Sequence, residues 1–230
     1  MSKRDELREK RRKQQKSRLM VWIIAIVAVA LVIAGFLIYP SLTPIGEIAK
    51  AEPISRPQVQ GLAMGNPDAP VKVEIFSDFQ CPACKQFLSK YEATIVNTYI
   101  ATGKVYWKYA PLAFIGPESV AAVEAAYCAS DQGKFWEYHD ILFANQTGEN
   151  IGDFTNRRLG AFAQTIGLNM SQFNSCFNGN KYSQQVQKDE NRGTEVGIQR
   201  TPTLTINGVI NEGDPLQALA DAVKNATTGQ

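Results

Sequence analysis

Along the chain, apolar and polar positions fall into blocks with different periods. Residues 19–39 (LMVWIIAIVAVALVIAGFLIY) are 21 consecutive positions without a charge. As a helix at about 1.5 Å per residue they would span roughly 31 Å, close to a hydrocarbon core of about 30 Å. Residues 40–58 have four prolines and little apolar period, the pattern of a semi-extended tether. Turn residues follow in GLAMGNPDAP, then VKVEIFS (71–77), with the β-branched and aromatic content of a strand. From Cys81 to Thr102 the apolar residues Phe87, Leu88, Tyr91, Ile95 and Val96 recur on one face of a predicted helix, which Gly103 ends. VYWKYAPL (105–112) reads as a second strand. Residues 117–196 read as a block of helices separated by Gly and Asn. Strand character returns in TPTLTI (201–206), turns at Asn207-Gly208 into a short VIN, and gives way to a last helix over 215–226.

The elements therefore run βαβ, helices, ββα. This predicts an α/β domain over 59–230 with a helical insertion at about 113–197, preceded by a basic head (1–18), an apolar helix (19–39) and a tether (40–58). Charge divides the chain in the same place. Residues 1–18 hold nine Lys/Arg and three Asp/Glu, whereas the remainder holds 15 basic and 19 acidic residues. A basic flank before an uncharged 21-residue run predicts an uncleaved signal-anchor in the plasma membrane, with its N-terminus in the cytoplasm. This assigns the head to the bilayer rather than to nucleic acid. The catalytic part is then expected on the extracytoplasmic side, where disulfides form and persist.

That location changes what DFQCPACKQF (78–87) can be. Four cysteines allow three pairings, and joining the neighbours Cys81 and Cys84 leaves Cys128 with Cys176. A zinc site needs about four ligands. The chain has a single histidine, His139, and no second C-x-x-C, so neither a metal nor a cofactor is expected. His139 lies among aromatics in FWEYHDIL, the setting of a packed or surface histidine. With Pro82 as first helical residue, Cys81 falls at the N-cap, where backbone N–H groups of Ala83 and Cys84 and the helix dipole favour a thiolate. Cys84, inside the first turn, lacks those bonds. The two sulfurs are thus unequal, one nucleophilic and one resolving, which a structural staple does not require.

EIFSDFQCPACKQF, RTPTLTING, YCASDQGKFWEYHDILFANQ and FNSCFNGNKYSQQV together resemble the DsbA-like branch of the thioredoxin superfamily, over roughly residues 57–226. The resemblance implies a thioredoxin-like fold with an inserted helical lobe. It implies Pro202 as a cis-proline facing the cysteines, with the Thr201 backbone able to pair with an extended substrate strand. Cys128 and Cys176 resemble the extra pair of many members, read as a structural disulfide. The implied activity is thiol-disulfide exchange on exported proteins with cysteine thiols, the reduced enzyme being reoxidised by a quinone-linked membrane partner. The same site run backwards is a reductase or isomerase. A membrane-tethered peptide-binding or chaperone module is the reading from a different class.

Three positions depart from the family pattern. Pro-Ala stands where Pro-His is best known, which removes a donor to the thiolate and implies a milder oxidant. Ile75 occupies the place of a frequent acid, while Glu74 should face the other side of the strand. Arg200 stands where Gly or Ser is usual, and reads either as a solvated loop cation or as a stabiliser of the Cys81 thiolate.

Overall fold

The computed structural model describes residue 16 and residues 20–36 and 44–228. The chain divides into two compact units, 1–46 and 47–230. In the first, residues 20–36 form helix α1. No helix among the described residues is long and apolar enough to cross a membrane. The basic head apart from Lys16, the ends of the apolar run at 19 and 37–39, and residues 40–43 lie outside the described residues.

The second unit is built on a five-stranded mixed sheet of order β1-β3-β2-β4-β5. The strands are β1 (Ala63–Met64), β2 (Val71–Ser77), β3 (Val105–Pro111), β4 (Thr203–Ile206) and β5 (Val209–Asn211). β2 and β3 run parallel, with Ile75 opposite Tyr109, and the other neighbours pair antiparallel. A parallel pair needs a crossover, and the helical stretch α2 supplies it. It runs as Pro82–Phe87, Leu88–Glu92, Ala93–Ile95 and Val96–Ile100, the second and fourth parts in wider π-type turns. The expected helix to Thr102 thus stops two residues early, where the chain turns into Gly103 at φ 72°.

Between β3 and β4 lies the helical lobe: α3 (Pro117–Ser130), α4 (Phe135–Asn145), α5 (Asn156–Thr165), α6 (Met170–Asn178) and α7 (Ser183–Val196). Helix α8 (Pro215–Thr228) follows β5. Both sheet faces are covered, so β2 is almost continuously buried at its C-terminal end. Val71, Val73 and Ile75 enter the main core with α2 and the lobe. Phe76, Ala110 and Leu112 form a smaller cluster against Val196 and Ile198. The β4–β5 turn has Asn207 at φ 50° and Gly208 at φ 83°, the two positive values a type I′ hairpin needs.

Two readings change. The segment expected only to turn holds β1, whose Ala63 and Met64 pair with Lys108 and Trp107. The strand expected over 201–206 begins at Thr203, because Thr201 and Pro202 belong to the turn that enters it. Residues 47–58 are packed on the domain by specific bonds. Ala49 exchanges backbone bonds with the Asn145 side chain at 2.9 and 2.8 Å. Arg56 is buried between Glu92 of α2 (2.7 Å) and Asp140 of α4 (2.6 Å), its guanidinium 4.8 Å from the Trp136 ring.

Candidate active site

β2 delivers the chain into a buried turn, Asp78 to Gln80, that ends at Cys81. The Asp78 carboxylate accepts from the Gln80 N–H (2.8 Å), closing a local Asx turn. It also accepts from the Ser119 hydroxyl (2.7 Å) and the Ile115 N–H (3.2 Å). Burial pushes this carboxyl above the usual range, and those bonds pull against it. The Gln80 amide donates to Ser119 Oγ (2.8 Å) and Asn150 Oδ1 (3.2 Å), while Gln80 Oε1 accepts from the Asn150 N–H. Gln146 Nε2 donates to the Gln80 carbonyl (2.6 Å), and Lys85 Nζ to the Gln146 carbonyl (2.7 Å). The turn before Cys81 is therefore clamped to the lobe. Of these residues only Cys81 was singled out from sequence; the Asx geometry of Asp78 two residues before Gln80 was the available local signal.

Cys81 has the extended backbone of an N-cap (φ −71°, ψ 117°), and Pro82 is the first helical residue. Its side chain makes no capping bond; the thiol instead points to the Thr201 carbonyl oxygen at 3.3 Å. Cys81 and Cys84 are both free thiols, 8% and 1% exposed. The Cys84 thiol, as donor to Cys81, holds the Cys81 pKa down to about 6, against burial and with help from Thr201 and the N–H groups of Cys84 and Ala83. Burial first, and then the neighbouring Cys81 sulfur, push Cys84 up. One sulfur is thus readily ionised beside one that keeps its proton.

The Thr201–Pro202 peptide is cis, and Thr201 is buried against Cys81. Arg200 is exposed, and the largest influences on Cys81 come from Cys84, burial, Thr201 and the Ala83 N–H. Glu74 lies away from the cysteines, paired with Arg192 and with Lys108 (3.2 Å) on the α7 side of the sheet. Cys128 of α3 and Cys176 of α6 form a disulfide with an S–S length of 2.04 Å. His139 is 1% exposed, packed against Phe79, Tyr109, Phe135, Trp136 and Phe143, with Nδ1 2.9 Å from Asp140. Glu92, His139 and Asp140 bring ligand atoms within 4.8 Å of one another. Arg56 already supplies the cation there, and His139 and Arg56 hold the Asp140 carboxyl below its usual range although burial opposes them. A metal ion would have to displace a paired guanidinium.

Comparison with known proteins gives the same assignment from fold and sequence together. The family described as Thioredoxin matches residues 58–225. The chain is 30% identical over 156 residues to disulfide bond formation protein D of Bacillus subtilis, covering 66% of this chain and 70% of that one. It is also 30% identical over 166 residues to a Na(+)/H(+) antiporter NhaA 1 of Salinispora arenicola, where the match takes 72% of this chain but only 24% of the relative. The oxidised crystal structure of BdbD from Bacillus subtilis superposes with a TM-score of 0.66 at 25% identity, over 77% of this chain and all of the other. Reduced DsbA from Mycobacterium tuberculosis gives 0.58 at 26% identity, over 79% and 93%.

Proposed function

Since this chain belongs to the thioredoxin family as a DsbA-like thiol-disulfide oxidoreductase, we propose that it is a membrane-anchored oxidase that introduces disulfides into exported proteins. The observation that carries the direction is the unequal pair. Cys81 ionises near 6 while burial keeps Cys84 protonated, so the dithiol form is stabilised at neutral pH. A stabilised dithiol makes its disulfide the more ready to accept electrons. A pKa of about 6 lies between the roughly 7 of thioredoxin and the roughly 3.5 of a strong oxidase, in keeping with a milder oxidant.

A substrate thiolate attacks Sγ of Cys81 in the Cys81–Cys84 disulfide, and Cys84 leaves as a thiolate that takes up a proton. The second substrate thiolate then attacks the substrate sulfur of the mixed disulfide and expels Cys81 as a thiolate. The substrate loses two electrons, and Cys81 and Cys84 gain them. The Cys81 leaving group is good because its thiolate is favoured. The Thr201 carbonyl oxygen 3.3 Å from Cys81 Sγ supports the reading that the Thr201 backbone pairs with the substrate strand next to Pro202. A quinone-linked membrane protein would reoxidise the pair. The anchor reading rests on the uncharged run 19–39 and its basic flank, of which 20–36 is helical.

The deciding measurement is the reduction potential of Cys81–Cys84. We expect about −180 to −120 mV; a value near −270 mV would reverse the direction to a reductase. A Cys84→Ser variant should accumulate mixed disulfides with exported proteins in the membrane fraction. Failure to trap any would remove the exchange role, and recovery of the full chain in the soluble fraction would remove the anchor.

A further inference from the structure

At the cis-proline lies a cavity of about 320 Å³ whose lining includes Phe87, Arg200, Pro202, Asn211, Glu212 and Pro215. Arg200 precedes Thr201, whose carbonyl receives the Cys81 thiol, so its backbone is one residue from the reacting sulfur's own contact. Its side chain is exposed and takes part in no ion pair or side-chain hydrogen bond among the described residues. Lys85, in the first turn after the cysteines, is engaged with the Gln146 carbonyl. Glu212, which also lines the cavity, is likewise exposed and forms no ion pair with Arg200 among the described residues. Leu204 of β4 pairs with Asn211, the last residue of the edge strand β5, and Glu212 follows directly after it.

We propose that Arg200 is a specificity determinant of the exchange reaction, selecting substrate segments that carry an Asp or Glu next to the reacting cysteine. The inference rests on the oxidase reading for its substrate, a thiol-bearing protein segment. Physically it needs only that a free guanidinium on the groove lip meet a carboxylate arriving on an extended strand. Such a solvent-exposed pair contributes about 0.2–1 kcal/mol, a preference of about 1.4- to 5-fold. The Arg200 charge thereby acts on the incoming chain and leaves the ionisation of Cys81 alone.

The test uses the full-length dithiol chain and two labelled peptides, identical except for Asp or Lys beside a serine that replaces the cysteine. Fluorescence anisotropy at low salt should show the Asp peptide binding about threefold tighter. Arg200→Ala should level the two affinities, Arg200→Glu should invert them, and 0.5 M salt should shrink every difference. Equal binding by the wild type, an unchanged preference in Arg200→Glu, or an equal loss for both peptides would overturn the proposal. So would a shifted Cys81 titration in Arg200→Ala, which would make Arg200 a thiolate stabiliser instead. Because serine peptides cannot react, these results stand apart from the oxidase reading. That reading is checked separately, by whether the wild-type disulfide oxidises an uncharged two-cysteine peptide.

Discussion

Cys128 and Cys176 are 48 residues apart in sequence and close a bond between two lobe helices, whereas Cys81 and Cys84 share one helical turn and remain thiols. Each of the four is at least nine-tenths buried, so burial alone does not separate the pairs. Helix position does. Cys128 sits in the last turns of α3 and Cys176 in those of α6, where no free backbone N–H groups or positive dipole end favour a thiolate. Cys81 precedes Pro82 at the start of α2, and its partner lies one turn deeper. A cysteine is thus inert where it bridges two helices and reactive where it stands at the start of one.

The largest effect should come from opening the lobe. Closing a loop of this length is worth about 4 kcal/mol in the chain-entropy account. The Cys128→Ala/Cys176→Ala double variant should lose about that much stability in urea unfolding, while Cys81 in the surviving folded protein still titrates near 6. Loss of the low Cys81 pKa in that variant would show that the two pairs are not independent.

The regions are joined by the turn before Cys81, and a second substitution breaks that joint. Asp78→Ala leaves the N–H groups of Gln80 and Ile115 and the Ser119 hydroxyl without their acceptor inside the fold. Unpaired buried polar groups cost about 1–3 kcal/mol each, and partial relaxation should bring the total to about 3 kcal/mol. Alkylation of Cys81 should also slow, because the turn that presents it is no longer held to the lobe. Unchanged stability would mean that the clamp between turn and lobe contributes nothing.

A smaller effect is expected where α7 rests on the sheet. A Cβ on Gly193 would lie 2.6 Å from Leu112 Cδ2, and Leu112 is 5% exposed. Gly193→Ala gains about 1 kcal/mol of helix propensity but must displace a packed side chain, at about 1–3 kcal/mol. A net loss of about 1 kcal/mol in urea unfolding should result. A stabilised variant would place slack at this contact.

What the sequence revealed follows the range of the interactions involved. The strand VKVEIFS, the helix after Cys81 and the Asn207-Gly208 turn are legible because period and turn chemistry act over a few residues. The unequal sulfurs are legible in part: the three-residue spacing brings the Cys84 thiol to Cys81, but Cys81 makes no side-chain capping bond and the burial that raises Cys84 comes from the tertiary fold. Strand β1 was not, because two residues carry no period and Met64 is a strand only by virtue of Trp107 beside it. Nor was the burial of Arg56, whose partners Glu92 and Asp140 lie 36 and 84 residues away. The Gln80–Asn150 bond spans 70 residues and leaves no trace in either segment.

The finest contrast between the pairs is in their response to pH. An unfolded cysteine ionises near 8.5, and folded Cys81 near 6, so in the reduced protein the folded state binds fewer protons between those values. Reduced-state stability should therefore rise from about pH 6 to about pH 8.5, be fully present above that, and be lost as pH falls through 6. Cys84 acts in the opposite sense and later: its folded pKa is raised, so its contribution is lost as pH climbs beyond about 8.5. With the Cys81–Cys84 bond closed neither group titrates, and the lobe disulfide is silent in both forms. Asp78, whose raised carboxyl makes stability fall as pH rises through its folded pKa, is present in both forms and largely cancels in their difference. Urea unfolding of the reduced and oxidised proteins at pH 5.5, 7 and 8.5 isolates that difference. It should grow with pH in favour of the reduced form, and a flat difference would mean that folding does not lower the Cys81 pKa.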